Sequence, residues 1–444
     1  MADVRIDEAL AWLESHVNLE AMEEGRYRAP TLDRITELCD LMGDPHRAYP
    51  TIHITGTNGK GSVARMVTEL LAATGLSVGT YTSPDLEGIN ERLACNGLPV
   101  GTDTFAELLE SLWLLEPMMS EAPTRFEILT AAAFRWFADS AVDAAVIEVG
   151  LGGRWDATNI VRSEVAVVTN VALDHTDILG PTRTDIATEK AGIVKPGSLL
   201  VLGEDDSELF PIFQDAVDRV GADLWVRNEH FGCQSNRMAL DGRLVDLMVP
   251  GGHYEDLFIP FHGAHQGDNA AAALAAVDGF FAHPLAGELV EAAFSRTVIP
   301  GRLEVVSRSP LIVLDGAHNP AGAASAGAAL EEEFDVPGGR VVVLGLLRGR
   351  DPVEILECLG IFGIHTVVAC PAPSPRSMPA GYVEAAAHSL GLEATSVTSV
   401  ADGVVRALEL VPHDGMVVVT GSMYVAGAAR TELTRTGLLD RYAR

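Results

Sequence analysis

The fold of this 444-residue chain is decided by the stretch Ile52-His53-Ile54-Thr55-Gly56-Thr57-Asn58-Gly59-Lys60-Gly61-Ser62. Residues 52–54 are typical of a short buried strand, and the apolar residues that follow repeat at helical spacing over 63–71. Glycines between a strand and a helix let backbone N–H groups approach an anion, and the helix N-terminus adds positive partial charge. Because Lys60 adds a full charge, the stretch predicts a phosphate-binding loop for a nucleotide.

This loop departs from the general G-x-x-x-x-G-K-[ST] pattern. Ile54 occupies the first glycine position, and Gly61 separates Lys60 from Ser62. A glycine-rich turn without a ligand is the alternative interpretation. Only three lysines occur in the chain, and the other two, Lys190 and Lys195, also lie in glycine-containing motifs near the ends of predicted elements. Because lysine is so rare in this chain, a role specific to one of these positions is easier to recognise; genomic composition or a salty habitat is the alternative explanation of the scarcity.

Composition restricts the class of protein. The chain has 31 basic and 62 acidic side chains and a net charge of −31, which disfavours a broad surface for nucleic acid or for an anionic membrane. Its five cysteines are scattered without C-x-x-C spacing, so neither a disulfide framework nor a zinc site is indicated. No apolar stretch is long enough to cross a bilayer. We expect a cytoplasmic enzyme with a local basic pocket for its anionic substrate.

Strand and helix patterns alternate along most of the chain. This alternation predicts an α/β fold in which a mostly parallel sheet is covered on both faces. The predicted strands lie at 76–81, 144–149 and 165–171, and the predicted helices lie at 104–119 and 126–138. The segment 222–262 instead favours antiparallel strands or a β-rich insertion. Pro300-Gly301 predicts a boundary between a P-loop ATP-binding domain, 1–299, and a smaller Rossmann-like α/β domain, 300–444.

Polar residues follow two of the predicted strands. Glu148 ends one strand and is followed by a glycine-rich loop with Arg154 and Asp156, while His175 follows the next strand. The carboxyl ends of parallel strands meet at one edge of a sheet, where ligands bind, so these side chains are expected near Lys60. A carboxylate there suits Mg²⁺. The alternatives are an acid satisfied by loop amides and a structural histidine.

At this point the motifs resemble those of the dihydrofolate synthase and folylpolyglutamate synthase family of the Mur ligase superfamily. The resemblance covers nearly the whole chain, and the Gly-Lys-Gly-Ser form is similar to the folate branch. It rests on Gly56-Thr57-Asn58-Gly59-Lys60-Gly61-Ser62, Thr82-Ser83-Pro84 with Asn90-Glu91-Arg92, residues 148–159, Leu173-Asp174-His175, Glu189-Lys190-Ala191-Gly192-Ile193, Pro300-Gly301-Arg302-Leu303-Glu304, residues 315–320 and Thr420-Gly421-Ser422-Met423-Tyr424.

The resemblance implies an ATP-dependent ligase that joins L-glutamate to dihydropteroate, to reduced folates or to both, with ATP and Mg²⁺. The implied catalytic residues are Lys60, Glu148, His175, Lys190, Arg302 and His318. The implied nucleotide contacts are Thr57, Asn58, Gly59, Lys60, Gly61, Ser62, Asn269, Arg302 and Asp315. The implied metal ligands are Ser83, Glu148, His175 and a carbamylated Lys190. The implied substrate contacts are Thr124, Phe126, Arg154, Asp156, His318 and Ser422, with the pterin ring at Thr124, Phe126 and Asp156.

The implied chemistry requires two domains that close. A carboxylate is a poor electrophile, so it is first phosphorylated to an acyl phosphate, which must be kept from water until the glutamate amine attacks. We expect closure about the linker 300–302 and a monomeric chain.

Three positions depart from the family pattern. Asp85 replaces a common histidine, Arg125 replaces a common aromatic residue, and Arg350 replaces a lysine.

Two other classes remain open from the sequence. A cell-wall precursor amino-acid ligase shares the ATP chemistry but needs a uridine-nucleotide pocket. A P-loop binding module without catalysis needs no acid, histidine and lysine beyond the loop. Whether the chain adds the first glutamate, later ones or both is also open.

Overall fold

The computed structural model describes residues 2–18 and 31–439, and these contain a large N-terminal sheet followed by a smaller C-terminal one. Within the described residues the first sheet has eight strands in the order β4-β3-β2-β5-β1-β6-β7-β8. They are β1 (Thr51–Thr55), β2 (Val78–Tyr81), β3 (Leu93–Cys95), β4 (Leu98–Pro99), β5 (Ala144–Glu148), β6 (Val165–Val168), β7 (Leu199–Leu202) and β8 (Asp223–Val226). The helices between and around them are α1 (Ala2–Glu14), α2 (Asp33–Leu41), α3 (Lys60–Ala73), α4 (Thr102–Leu115), α5 (Arg125–Asp139), α6 (Thr176–Leu179), α7 (Arg183–Ala191) and α8 (Phe210–Val220).

The centre of the large sheet is parallel, as the sequence predicts. Strand β1 lies between β5 and β6, and Ile52 pairs with Val146 on one side and with Val165 on the other. All three strands are buried, because α3 and the later helix His265–Phe281 cover one face of the sheet, while α5 covers β5 and α7 and α8 cover β6 on the other face. The continuous apolar runs of these strands therefore reflect burial on both faces.

The segment 222–262 divides between two sheets. Its first strand, β8, pairs in parallel with β7 at the edge of the large sheet. The next three form a separate antiparallel sheet and are β9 (Gly232–Ala239), β10 (Gly242–Val249) and β11 (Gly252–Ile259). Two helices follow, α9 (His265–Phe281) and α10 (Gly287–Arg296). The alanine-rich face of α9 packs on α3, so this helix belongs to the core under the phosphate loop.

The C-terminal sheet begins after α10 and has six strands within the described residues, in the order β12-β13-β17-β14-β15-β16. The strands are β12 (Glu304–Arg308), β13 (Leu311–Leu314), β14 (Arg340–Leu344), β15 (Ile364–Ala369), β16 (Glu393–Ser396) and β17 (Met416–Thr420). The helices are α11 (Pro320–Glu333), α12 (Pro352–Leu359), α13 (Ala380–Ser389), α14 (Val400–Leu410) and α15 (Met423–Thr436). Only β12 pairs antiparallel in this sheet of described strands. The predicted α/β class with two sheet domains is confirmed.

The change of sheet between α10 and β12 supports a domain division near residue 300, which stays a proposal. The described helices include none that combines the length and the apolar character needed to span a bilayer.

Candidate active site

The predicted phosphate loop joins the end of β1 to the start of α3. Gly59 precedes the helix with a φ of +84°, and Gly56 has a φ of +152°. A Cβ atom at Gly56 would lie 1.7 Å from Oγ1 of Thr169, so no other residue fits there. The hydroxyl of Thr169 and the amide of Asn170 both donate to the carbonyl of Asn58, at 2.6 and 2.9 Å. The residues that follow the neighbouring strand β6 therefore fix the position of the loop.

The ammonium group of Lys60 turns back over this loop. Its Nζ donates to the carbonyls of Gly56 at 3.1 Å and Thr57 at 3.2 Å. The loop thus presents backbone N–H groups, a helix N-terminus and one full positive charge at a single place. This arrangement fits a polyphosphate.

A cavity of about 290 Å³ opens beside the loop, between the two sheet domains. Asn269, on α9, is close enough that a Cβ atom at Gly59 would lie 2.6 Å from its Oδ1. The cavity brings together six of the predicted nucleotide contacts, and its lining includes Asn58, Gly59, Ser62, Asn269, Arg302 and Asp315. Its other lining residues include Asn170, Arg227 and Asp268, which sequence reasoning did not select.

Glu148 lies directly beneath the phosphate loop. Its side chain is 3% exposed, and a Cβ atom at Gly61 would lie 3.5 Å from Oε2. The backbone N–H of Ser83 donates to the same oxygen at 3.2 Å. Burial raises the pKa of Glu148, while Lys60 acts to lower it. A buried carboxylate beside a phosphate site needs a cation, and its hard oxygen atoms suit Mg²⁺.

The other predicted metal ligands approach the site without forming a complete cage. The described residues contain no group of three or more His, Cys, Asp or Glu side chains able to hold a metal ion. Burial lowers the pKa of His175 to about 4, so its imidazole is neutral at pH 7 and able to act as a ligand. His175 also has a φ of 50° immediately before α6. Glu148 and a neutral His175 are chemically able to bind a metal, and their role as ligands stays a prediction.

Lys190 is a deeply buried cation near the site. It lies on α7 and is 2% exposed, and none of the described residues forms a hydrogen bond or an ion pair with its amine. Burial, together with the charge of Lys60, holds the pKa of Lys190 well below its ordinary value. A neutral amine is the form that reacts with carbon dioxide, which fits the predicted carbamate.

The C-terminal domain contributes Arg302 and Asp315 to the lining of the cavity, and His318 follows Ala317, which also lines it. A Cβ atom at Gly316 would lie 2.9 Å from Nη1 of Arg302. The Asp315 carboxylate accepts the N–H groups of Leu303 at 3.0 Å and Ala317 at 2.8 Å, so it fixes the linker in addition to facing the cavity. Burial raises the pKa of Asp315.

His318 points toward the N-terminal domain. Its Nδ1–H donates to the carbonyl of Gly316 at 2.9 Å, and its Nε2 lies 3.4 Å from Oδ2 of Asp174. Asp174 is a residue that sequence reasoning passed over in favour of its neighbour His175. The signal for Asp174 was a carboxylate in the loop that follows a buried strand.

Two of the three predicted pterin contacts, Phe126 and Asp156, converge on Gly150. A Cβ atom there would lie 2.5 Å from Cζ of Phe126 and 3.2 Å from Oδ2 of Asp156. The Asp156 carboxylate accepts the N–H of Leu151 at 2.9 Å and the hydroxyl of Thr158 at 2.6 Å, so it also holds its own loop together. Burial raises the pKa of Asp156, and these hydrogen bonds oppose that effect.

Three other predicted substrate contacts have structural partners. The hydroxyl of Thr124 accepts the N–H of Glu127 and caps α5, and Ser422 caps α15 by accepting the N–H of Val425 at 3.2 Å. Nη2 of Arg154 donates to the carbonyl of Thr188 at 3.4 Å. Their roles toward a substrate stay predictions.

Two of the departures from the family pattern have clear partners. Asp85 pairs at 2.6 Å with Arg92, whose side chain is buried. The guanidinium of Arg125 pairs at 2.8 Å with Glu14, which ties α5 to α1. Both residues thus serve contacts within the N-terminal domain.

Comparison with known proteins agrees with this geometry. Residues 54–277 match the Mur ligase middle domain, and residues 301–423 match the Mur ligase glutamate ligase domain. The chain is 38% identical over 442 residues to the dihydrofolate synthase/folylpolyglutamate synthase of Mycobacterium tuberculosis, with 90% of each protein covered.

Solved structures are similar over nearly the full length of the chain. Folylpolyglutamate synthase of Mycobacterium tuberculosis in complex with ADP and AMPPCP superposes with a TM-score of 0.90 and 36% identity, covering 97% of this chain and 98% of that one. A bifunctional folylpolyglutamate synthase/dihydrofolate synthase with Mn, AMPPNP and L-glutamate superposes with a TM-score of 0.83 and 28% identity, covering 97% and 98%. The chain belongs to the Mur ligase family and, within it, to the dihydrofolate synthase/folylpolyglutamate synthase family.

Proposed function

We propose that this chain is an ATP-dependent ligase that joins L-glutamate to dihydropteroate, to reduced folates or to both, through an acyl-phosphate intermediate. The observation that carries the proposal is the cavity between the two domains, in which the phosphate loop meets Asn269 and Arg302. The related structures that hold ADP, AMPPCP, or Mn with AMPPNP and L-glutamate support it.

One group of residues would bind the nucleotide, and a second group would hold the metal that compensates its charge. The phosphate loop from Thr57 to Ser62 would bind the polyphosphate, and Asn269 would contact the adenine. Glu148, Ser83, His175 and carbamylated Lys190 would hold Mg²⁺. When bound, ATP supplies the phosphoryl group that activates the substrate carboxylate, and Mg²⁺ offsets the charge that develops.

The pteridine acceptor and glutamate would approach the nucleotide and metal site from opposite sides. Phe126 and Asp156, which converge on Gly150, would hold the pterin ring, because an aromatic face and a carboxylate suit a flat donor-bearing heterocycle. Thr124 and Arg154 would complete that side. His318 and Ser422 would orient glutamate, and Arg302 would stabilise the phosphate charge. Closure of the domains would exclude water from the reactive acyl phosphate.

The direct test is the mass of the product. With ATP, Mg²⁺ and L-glutamate, we expect dihydropteroate or a reduced folate to gain one glutamyl residue per ATP hydrolysed to ADP and phosphate, as measured by mass spectrometry. A cell-wall precursor peptide serves as the control acceptor and is expected to remain unmodified. Absence of any glutamylated pteridine from an active nucleotide-binding preparation would disprove the assignment.

A second prediction concerns the proposed carbamate on Lys190. With ¹³C-bicarbonate, the protein is expected to show one carbamate carbon resonance, which disappears in Lys190→Arg and persists in Lys195→Arg. Lys195→Arg is the control variant. Lys195 donates to the carbonyl of Asn159 at 2.8 Å and so has a partner that Lys190 lacks among the described residues. Electron density that ends at Nζ of Lys190, with no carbamate resonance, would contradict the prediction.

Two further features are proposals. We propose that the chain acts as a monomer in the cytoplasm and binds no nucleic acid. Its five cysteines, all within the described residues, are free thiols, which suits a reducing compartment. Its net charge of −31 opposes binding to nucleic acid.

A further inference from the structure

One carboxylate of the N-terminal domain is surrounded by groups of the C-terminal domain. Asp174 lies in the turn before α6, and its side chain is 5% exposed. Its Oδ1 lies 2.6 Å from Nη2 of Arg350, and its Oδ2 accepts from Nδ2 of Asn319 at 2.7 Å. Nε2 of His318 lies 3.4 Å from the same oxygen. These four residues are called the Asp174 cluster below.

The cluster extends to the phosphate loop through Asn319. The amides of Asn58 and Asn319 form a reciprocal pair, with Nδ2 to Oδ1 distances of 3.3 and 3.1 Å. Asn58 is itself part of the phosphate loop, and its backbone N–H donates to Oδ1 of Asn170 at 3.0 Å. The C-terminal domain therefore touches the loop that is proposed to hold the phosphates.

Asn319 is satisfied only when the domains are together. Its amide is fully buried, and Oδ1 also accepts the N–H of Gly322 at 2.8 Å. A side-chain amide has two donor protons and two acceptor sites. Of the four hydrogen bonds made here, the two with Asn58 and the one to Asp174 cross between the domains. Separation of the domains would break all three and leave only the cap of α11.

Arg350 provides the charge that matches Asp174. It lies in the loop after β14, and its side chain is 16% exposed. A guanidinium is planar and presents several donors in a fixed geometry, whereas lysine offers a compact point charge. Pairing in a partly desolvated site is sensitive to the loss of either partner, because the other charge is left without compensation.

We propose that the Asp174 cluster holds the C-terminal domain closed over the phosphate loop, with Asp174 and Arg350 as positioning residues for the ligase reaction. This inference rests on the proposed function, because closure matters only where a reactive intermediate must be kept from water. The competing explanation is that Arg350 acts on bound phosphate independently of Asp174.

A double-mutant cycle separates these explanations. Asp174→Asn and Arg350→Met are each expected to lower kcat by about 10-fold or more, and the double variant should be no worse than the poorer single variant. Arg350→Lys should recover part of the lost kcat, because it keeps the charge. Arg348→Met is the matched control, since Arg348 lies in the same loop, is exposed and donates to the carbonyl of Ser377 at 3.3 Å. It should remain near wild type.

Small-angle X-ray scattering tests closure without turnover. The radius of gyration with a non-hydrolysable ATP analogue is expected to be larger in Asp174→Asn and Arg350→Met than in the wild type. This comparison can be made even if no glutamylated product forms. A failure of the proposed role of the Asp174 cluster can therefore be distinguished from a failure of the proposed function. If Asp174→Asn does not fold, Arg350→Met and Arg350→Lys decide the question. Multiplicative losses of kcat in the cycle, or unchanged radii, would overturn the proposal.

Discussion

Replacement of Lys60 by alanine is expected to lower kcat/KM by about 10²–10³-fold, the range that follows loss of one electrostatic clamp on a reacting group. Lys60 supplies the full positive charge at the phosphate loop, and its ammonium lies over the carbonyls of Gly56 and Thr57. The fold should survive, because the glycines and the contacts of Asn58 with Thr169 and Asn170 shape the loop. Steady-state kinetics with ATP, glutamate and the pteridine acceptor measure the loss, and circular dichroism checks the fold.

The matched control for this prediction is Lys195→Ala. It removes the same charge from a residue that donates to the carbonyl of Asn159 and makes no hydrogen bond to the described phosphate loop. Its kcat/KM should stay within a few-fold of the wild type. A folded Lys60→Ala variant as active as the wild type would contradict the phosphate-binding role of the loop.

The second large effect is expected on stability, from Glu333→Gln. Glu333, at the end of α11, accepts hydrogen bonds from His262 and from the N–H of Gly263, both at 2.8 Å, and pairs with Arg243 on β10. The side chains of Arg243 and Glu333 are 2% and 4% exposed. Removing one partner of a buried pair costs about 3–5 kcal/mol, and we expect about 3 kcal/mol here because Glu332 still contacts Arg243 at 3.2 Å. Urea unfolding at neutral pH measures the difference.

The adjacent residue provides the control for this variant. Glu332 contacts the same arginine, but its side chain is 45% exposed, so Glu332→Gln should cost no more than about 1 kcal/mol. Equal losses in the two variants would show that burial of the pair does not determine its contribution.

The pH dependence of this pair has a definite sign. Burial alone would raise the pKa of Glu333, but hydrogen bonds from His262, Gly263 and Arg243 bring it below its ordinary value of 4.5. A carboxyl group whose pKa is lower in the folded state stabilises the fold above the unfolded pKa and loses that contribution as the pH falls through the folded pKa. The difference between wild type and Glu333→Gln should therefore shrink below about pH 4.5.

Local sequence was sufficient for the elements and the phosphate loop. The predicted strands at 76–81, 144–149 and 165–171 contain β2, β5 and β6, because apolar runs between glycine-rich turns have few alternatives to a buried parallel strand. The loop around Lys60 was predictable because its glycines are adjacent in sequence. The segment 222–262 showed the limit of this reasoning. Its first strand joined the parallel sheet, since pairing partners are chosen in space and not by local pattern.

The sequence by itself determined the α/β class, the position of the phosphate loop and the residues that stand at strand ends, since each depends on neighbours in the chain. Only the tertiary structure decided which of these residues meet. The Asn58–Asn319 pair spans 261 positions, and the Asn319–Asp174 and Arg243–Glu333 pairs span 145 and 90. Such contacts depend on how the two sheet domains pack, because the partners and the burial of each side chain are fixed only when the domains meet.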